Sequence, residues 1–129
     1  MIVDASAVIA ILEREPEASE LIEILLEEPS VMSASGYLEC GVVWDRRNPR
    51  GREALDALLA ETETSLIPFT PDHAAAARAA YRRYGRGSGH PARLNLGDCM
   101  SYAVAALDDE PLLFTGRDFS HTDVRDARG

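Results

Sequence analysis

Short apolar runs alternate along the chain with longer stretches in which apolar residues recur every three or four positions. The short runs, at 2–4, 31–32, 66–67 and 112–115, predict buried strands. The longer stretches predict amphipathic helices at 7–12, 16–28, 35–46, 52–63, 70–85 and 96–107. Strands that alternate with helices are typical of parallel βαβ units. The sequence therefore predicts an α/β fold, a three-layer α/β/α sandwich with a short central parallel sheet.

Turn-forming residues and polar segments mark where these elements end. Segment 85–91 contains three glycines and predicts a flexible loop between the last two helices. Residues 122–125 fit a short fifth strand, and the tail at 126–129 is expected to be frayed. A chain of 129 residues fits one domain, spanning 1–129.

The sequence predicts a cytoplasmic protein without a membrane partner. No apolar run approaches the roughly 20 residues that a membrane helix needs. The first predicted strand follows Met1 directly, which leaves no room for a signal peptide. Cys40 and Cys99 make a poor disulfide framework for a cytosolic domain, so we expect two buried thiols.

The charge is unevenly distributed along the chain. A net charge of −9 argues at first against a nucleic-acid partner. Segment 73–97, however, holds five arginines and no carboxylate, so it carries +5 and the rest of the chain −14. Tyr81 and Tyr84 lie among these arginines, and two interpretations stay open. The segment suits phosphate contacts and base stacking with single-stranded RNA, or its tyrosines pack in the core while its arginines are solvated.

Four carboxylates lie where parallel α/β sheets gather their chemistry, at strand ends or near the start of helices. Asp4 ends the first predicted strand and Asp118 follows the fourth, while Glu39 lies in a helix among small or apolar neighbours. Asp98 follows Asn95 by three positions at a helix start. Each also has an ordinary structural interpretation. Asp4 and Asp98 could cap helices, and Glu39 and Asp118 could be surface residues.

Together the four carboxylates predict a metal centre. Carboxylates that converge on one rim of a sheet repel one another unless a cation lies between them. A hard ion such as Mg²⁺ or Mn²⁺ needs one or two carboxylates, with water completing its shell. Such an ion activates water and stabilises the leaving oxygen of a phosphodiester, which is the chemistry of a nuclease.

The sequence around these carboxylates consists of four motifs, at 1–7 (MIVDASA), 35–39 (SGYLE), 94–99 (LNLGDC) and 115–119 (TGRDF), the last followed by Thr122 and Asp123. In this order they resemble the successive blocks of VapC-type toxins of the PIN-domain ribonuclease family, from residue 1 to about 125. The resemblance implies the toxin of a type II toxin–antitoxin system, a Mg²⁺-dependent endoribonuclease in which Mn²⁺ can substitute. It also implies RNA as the substrate, a cognate VapB-like antitoxin as the partner, and a homodimer.

The resemblance also assigns roles to single residues. Asp4 and Asp98 match the main metal-ligand aspartates of the family, and Glu39 matches an acid that helps to hold the metal or its water. Asp118 matches a site acid in a turn where family members vary. Arg117 departs from the family pattern, because family members often have a further polar or acidic residue at this position.

Further residues are candidates for contacts around the centre. Ser6 and Thr115 match family hydroxyls that contact the site or a phosphate, although helix capping and strand-end hydrogen bonding explain them equally well. Contacts with RNA or with acidic side chains of the antitoxin are expected from Arg82, Arg83, Arg86 and Arg93.

Three other functions compete with this interpretation. A phosphoacceptor domain also places acids at strand ends, but receivers depend on a lysine and this chain has none. The related phosphatases need an aspartate two residues after the nucleophile, where this chain has Ser6. A PIN-like module without a toxin role, either an RNA-processing nuclease or an inactive binding module, stays open.

Overall fold

The computed structural model describes every residue from Met1 to Gly129. Its four strands form one parallel sheet in the order β3-β2-β1-β4. Their bounds are β1 Ile2–Val3, β2 Val31–Ser33, β3 Ser65–Ile67 and β4 Leu112–Leu113. The first strand of the chain is therefore an inner strand, because Ile2 pairs with Val31 on one side and with Leu112 on the other.

Six α-helices connect and cover the strands, close to the predicted positions. Four of them begin at an N-cap whose side chain accepts a backbone N–H, as Thr70 does ahead of Pro71. None combines the length and the apolar character that crossing a membrane requires. Their bounds are α1 Ala5–Leu12, α2 Ala18–Glu27, α3 Ala34–Arg47, α4 Glu53–Glu61, α5 Pro71–Tyr84 and α6 Leu96–Leu107.

Two apolar cores lie on opposite faces of the sheet. Successive strand residues point to opposite faces, so Val3 and Leu113 pack in one core with residues of α1 to α4. Ile2 and Leu112 pack in the other with residues of α5 and α6. This arrangement confirms the predicted three-layer α/β/α sandwich, and it aligns the carboxyl ends of the strands along one rim.

The chain after β4 differs from the prediction. Residues 118–121 form a 3₁₀ helix, Asp118–His121, and no fifth strand forms at 122–125. The backbone of residues 125–127 instead pairs with β4, since Leu112 N–H donates to Arg125 O and Ala127 N–H donates to Leu112 O, both at 2.9 Å. Only the second of these bonds involves the tail at 126–129, for which fraying is predicted, and there Ala127 is the partner of the Leu112 carbonyl.

Candidate active site

Asp4 lies at the carboxyl end of the inner strand β1 and is only 3% exposed. Its Oδ2 accepts the backbone N–H of Ser6 at 3.0 Å, so Asp4 is the N-cap of α1. Its Oδ1 accepts the hydroxyl of Ser101 from α6 at 2.5 Å. The capping interpretation is thus correct, and the same bonds fix a buried carboxylate in one orientation on the rim.

Asp98 lies in the first turn of α6 and is also buried. It forms a capping box with Asn95, in which Asn95 N–H donates to Asp98 Oδ2 at 3.1 Å and Asp98 N–H donates to Asn95 Oδ1 at 2.8 Å. The predicted capping arrangement is therefore present. The other carboxylate oxygen, Oδ1, takes part in none of the side-chain hydrogen bonds of the protein, which leaves it available to a ligand.

Glu39 projects from the middle of α3 onto the beginning of α6. A Cβ atom built on Gly97 would lie 1.6 Å from Glu39 Oε2, well inside van der Waals contact. The Glu39 carboxylate therefore occupies space that exists only because residue 97 has no side chain. Gly97 lets α3 and α6 approach closely enough for Glu39 to reach the neighbourhood of Asp4 and Asp98.

Burial and mutual repulsion raise the pKa values of two of these acids. Desolvation, followed by the charges of Asp4 and Asp98, raises the pKa of Glu39 from 4.5 to about 7. The pKa of Asp98 rises from 3.8 to about 6, chiefly through burial. The charges of Asp4 and Asp118 raise it further, whereas the Asn95 hydrogen bond and the charge of Arg86 lower it. The three inner carboxylates therefore form one electrostatically coupled group.

This group has the chemical character of a cation site. None of Asp4, Glu39 and Asp98 forms an ion pair with an arginine or histidine, although each is at least partly buried. Buried acids without a cationic partner favour a bound metal ion. No three His, Cys, Asp or Glu side chains form a ready-made cage. The donor set thus fits an ion that takes few carboxylates and keeps several waters.

Asp118 approaches the group from the turn after β4. The turn contains Gly116, whose φ of +81° lies in the left-handed region that glycine adopts without strain. Asp118 is exposed at the start of the 3₁₀ helix and lies near enough to Asp98 to raise its pKa. Asp118 is therefore at the edge of the candidate site, whereas the other three acids are inside it.

Ser6 and Thr115 contact each other. Thr115 N–H donates to Ser6 Oγ at 3.1 Å, and the Thr115 hydroxyl donates to the Ser6 carbonyl at 3.4 Å. These bonds join the end of β4 to the first turn of α1, as the strand-end interpretation predicts. They hold the turn that carries Asp118 against the helix that Asp4 caps.

The four candidate arginines lie on different surfaces. Arg86 and Arg93 line a pocket together with Asp118. Arg82 lines a separate groove between α5 and the beginning of α6, which Arg86 borders as well. Arg83 points elsewhere, since it pairs with Asp123 at 3.9 Å.

The two tyrosines of segment 73–97 have different environments. Tyr84 is buried in the core and donates its hydroxyl to Asp123 at 3.3 Å, as the packing interpretation predicts. Tyr81 is 42% exposed and lines the same groove as Arg82, so the expectation that both tyrosines pack in the core is wrong for Tyr81. In this part of α5, consecutive turns place one tyrosine inward and the other toward solvent.

Sequence reasoning missed two residues of the site, Ser101 and Gly97. Ser101 is three residues after Asp98 on an otherwise apolar helix, and a buried polar residue at that spacing is a signal that could have been read. The role of Gly97 had no such signal, because it depends on how closely α3 and α6 approach. Both residues act on the orientation of a candidate acid.

Comparison with known proteins gives a consistent result. A family model described as PIN domain matches residues 1–125. The chain is 51% identical over 129 residues to Ribonuclease VapC28 of Mycobacterium tuberculosis, with 98% of this chain and 97% of that protein covered. The crystal structure of Mycobacterium tuberculosis VapC20, a Sarcin-Ricin loop cleaving toxin, superposes with a TM-score of 0.74 at 19% identity and 95% coverage of both chains. A toxin–antitoxin complex from Klebsiella pneumoniae gives a TM-score of 0.68 at 21% identity, covering 92% of this chain and 89% of the other.

Proposed function

The chain belongs to the PIN-domain family, as a VapC-type ribonuclease, and from this premise we propose that its buried carboxylates bind Mg²⁺ for the cleavage of RNA. Its activity is that of an endoribonuclease, a hydrolase, and its role is that of the toxin in a type II toxin–antitoxin system. The observation that carries the metal assignment is the coupled group of buried Asp4, buried Asp98 and half-buried Glu39, none of which has a basic partner.

VapC nucleases of the PIN family depend on a divalent metal, and we assign Mg²⁺, with Mn²⁺ as a substitute. Asp4 and Asp98 are the proposed ligands, because helix starts orient both carboxylates and Asp98 Oδ1 is free of hydrogen bonds. When bound, the ion activates water and stabilises the charge that develops on the phosphodiester. The positive ends of α1 and α6 support the negative charge of the two aspartates.

Glu39 is the residue we assign to proton transfer. Its carboxylate lies within electrostatic reach of both proposed metal ligands, where it could accept a proton from a water held beside them. Glu39 also faces both aspartates, so that its carboxylate can orient the attacking water. Asp118 holds a water or a second cation at the outer edge of the site.

The contacts with the antitoxin and with RNA are proposed from residues on the surface of the protein. VapC toxins pair with antitoxins, and we propose a VapB-like antitoxin that blocks the carboxylate group. We further propose a homodimer in the cytoplasm, with RNA phosphates or acidic antitoxin side chains bound by Arg82, Arg86 and Arg93. Arg83 is a weaker candidate because Asp123 already pairs with it.

The test is cleavage of total bacterial RNA by the purified protein, free of antitoxin, in Mg²⁺, Mn²⁺ or EDTA. Asp4→Asn and Asp98→Asn are the informative variants, because asparagine keeps the helix-capping geometry while it removes the charge. We expect discrete cleavage that requires metal and falls by at least about 100-fold in both variants.

A matched control is Asp72→Asn, which changes an exposed aspartate in the first turn of α5, away from the candidate site. This variant should cut RNA at the wild-type rate. If metal has no effect, or if the two site variants cut as well as the wild type, the carboxylate group is not the nuclease centre.

A further inference from the structure

A basic pocket opens beside the carboxylate group. It has a volume of about 380 Å³ and is lined by Arg86, Arg93, Arg117 and His121, with Asp118 in its wall. Arg93 in its wall lies two residues before Asn95, which forms the capping box with Asp98, and the charges of Asp118 and Arg86 both act on Asp98, so the pocket lies close to this candidate metal ligand. An anion bound in this pocket would therefore lie next to the centre that Asp98 helps to form.

The three arginines of this pocket have no acidic partners. Arg86, Arg93 and Arg117 are three of the nine arginines that do not come within 4.0 Å of a carboxylate oxygen, whereas Arg47, Arg83, Arg125 and Arg128 form ion pairs. The chain has 22 acidic residues for 13 arginines, so a shortage of acids does not explain the unpaired arginines. Three guanidinium groups around one pocket repel one another until an anion binds between them.

The backbone at Arg93 is strained. Its φ of +49° lies in the left-handed region, which a residue with a side chain adopts rarely. The three other non-glycine residues with positive φ, Arg14, Glu63 and Asp109, each lie just after the last turn of a helix, where this conformation is a common terminator. Arg93 follows no helix.

Neighbouring residues hold Arg93 in this conformation. Ala92 and Leu94 are buried on either side of it, with 4% and 0% exposure, while Arg93 is exposed. Leu94 is further fixed by backbone hydrogen bonds with Tyr84 and Arg86. The two buried neighbours thus force the Arg93 side chain outward into the pocket wall. Strain of this kind persists at sites where it positions a functional group.

We propose that this pocket binds a phosphate of the RNA strand beside the phosphodiester that is cut, with Arg86, Arg93 and Arg117 as its ligands. The inference rests on the proposed nuclease function and adds the phosphate subsite to it. Guanidinium groups match phosphate oxygens in bidentate geometry. The position of the pocket next to Asp98 favours RNA over an acidic segment of the antitoxin, because a substrate bound at the metal must continue past this rim.

The decisive variant is Arg93→Gly, which removes the charge and also relieves the left-handed strain. Arg14→Gly is a matched control, because it removes the same side chain from the same backbone conformation at an exposed position outside the pocket. Arg117→Gln is a second pocket variant, which removes the guanidinium charge and leaves the backbone conformation unchanged. Binding of a fluorescein-labelled single-stranded RNA is measured in EDTA over a range of salt, and KM and kcat for cleavage are measured in Mg²⁺.

We expect Arg93→Gly and Arg117→Gln each to weaken RNA binding and raise KM roughly tenfold. Each should lower the slope of log binding constant against log salt by about 0.7, the value for one phosphate contact on a single strand. Unfolding in urea should show no loss of stability in Arg93→Gly. Arg14→Gly should match the wild type in KM and in salt slope.

Several results would overturn the proposal. Unchanged RNA binding and salt slope in both pocket variants would show that this pocket does not bind a phosphate. An equal effect of Arg14→Gly would show that the variants act only through the net charge of the protein. If the pocket variants bind RNA normally but lose affinity for the antitoxin, the pocket belongs to the protein partner. Wild-type protein that neither binds nor cuts RNA would instead reject the nuclease function itself, which the other outcomes leave standing.

Discussion

Asp4 and Asp98 each combine two properties that the sequence left as alternatives. Both cap helices, and both carry a buried carboxylate at the rim of the sheet. A capping aspartate is held by backbone N–H groups, so its remaining lone pairs point in a defined direction. For these two residues the ordinary structural role is what orients the proposed metal ligands.

Gly97 permits a direct test at the scale of single residues. Alanine is normally the better residue within a helix, by roughly 0.5–1 kcal/mol relative to glycine. At position 97, however, its methyl group would overlap the Glu39 carboxylate. We expect Gly97→Ala to reduce RNA cleavage by roughly 10- to 100-fold, because Glu39 must move away. The measurement is the cleavage rate together with the free energy of unfolding in urea.

The control for this prediction is the same substitution in a Glu39→Ala background. Without the Glu39 side chain the methyl group has room, and Gly97→Ala should then stabilise the protein by about 0.5–1 kcal/mol. If Gly97→Ala changes stability equally with and without the Glu39 side chain, the two residues are not coupled. The close approach of α3 and α6 at Gly97 then has no role in placing Glu39.

At the scale of elements, apolar periodicity predicted the strands and helices to within a few residues. The Asn95–Asp98 pattern also showed where α6 begins, because capping depends on residues close in sequence. The pairing of the tail with Leu112 and the bond from Ser101 to Asp4 could not be predicted in this way. Each joins distant parts of the chain, and a local pattern does not specify its distant partner.

The tail provides the test at this scale. Deletion of residues 126–129 removes the bond from Ala127 N–H to Leu112 O and the contact of Ala127 with the core. We expect the free energy of unfolding to fall by about 1–2 kcal/mol. Arg128→Gln, which keeps the backbone pairing, should lose less. A deletion as stable as the full chain would support the prediction of a frayed tail.

At the scale of the whole molecule, the acid group links stability to pH and to metal. The pKa values of Glu39 and Asp98 are raised by folding, from 4.5 to about 7 and from 3.8 to about 6. At these two acids the folded protein therefore holds protons that the unfolded chain releases, so their contribution to metal-free stability falls as pH rises from about 4 to about 7. A bound cation would offset this loss by stabilising the ionised acids.

We expect the unfolding free energy of the wild type in EDTA to fall between about pH 5 and about pH 8 by on the order of 1 kcal/mol more than that of Glu39→Gln. Saturating Mg²⁺ should reduce this difference. Urea denaturation of both proteins at the two pH values measures it, with the exposed Glu23→Gln as control. Parallel curves for wild type and Glu39→Gln would show that Glu39 does not titrate in this range.

The order of strands in the sheet has a consequence for synthesis of the protein. Strand β1, which Asp4 follows directly, is synthesised long before its neighbour β4, which begins at Leu112. Contacts between such distant segments form late in folding, because a long loop must close first. Ser101, which holds Asp4 in place, is likewise made late. A chain that ends before Ser101 and Leu112 would therefore lack the residues that hold Asp4 and pair with β1, and we expect it to leave the surrounding RNA uncut.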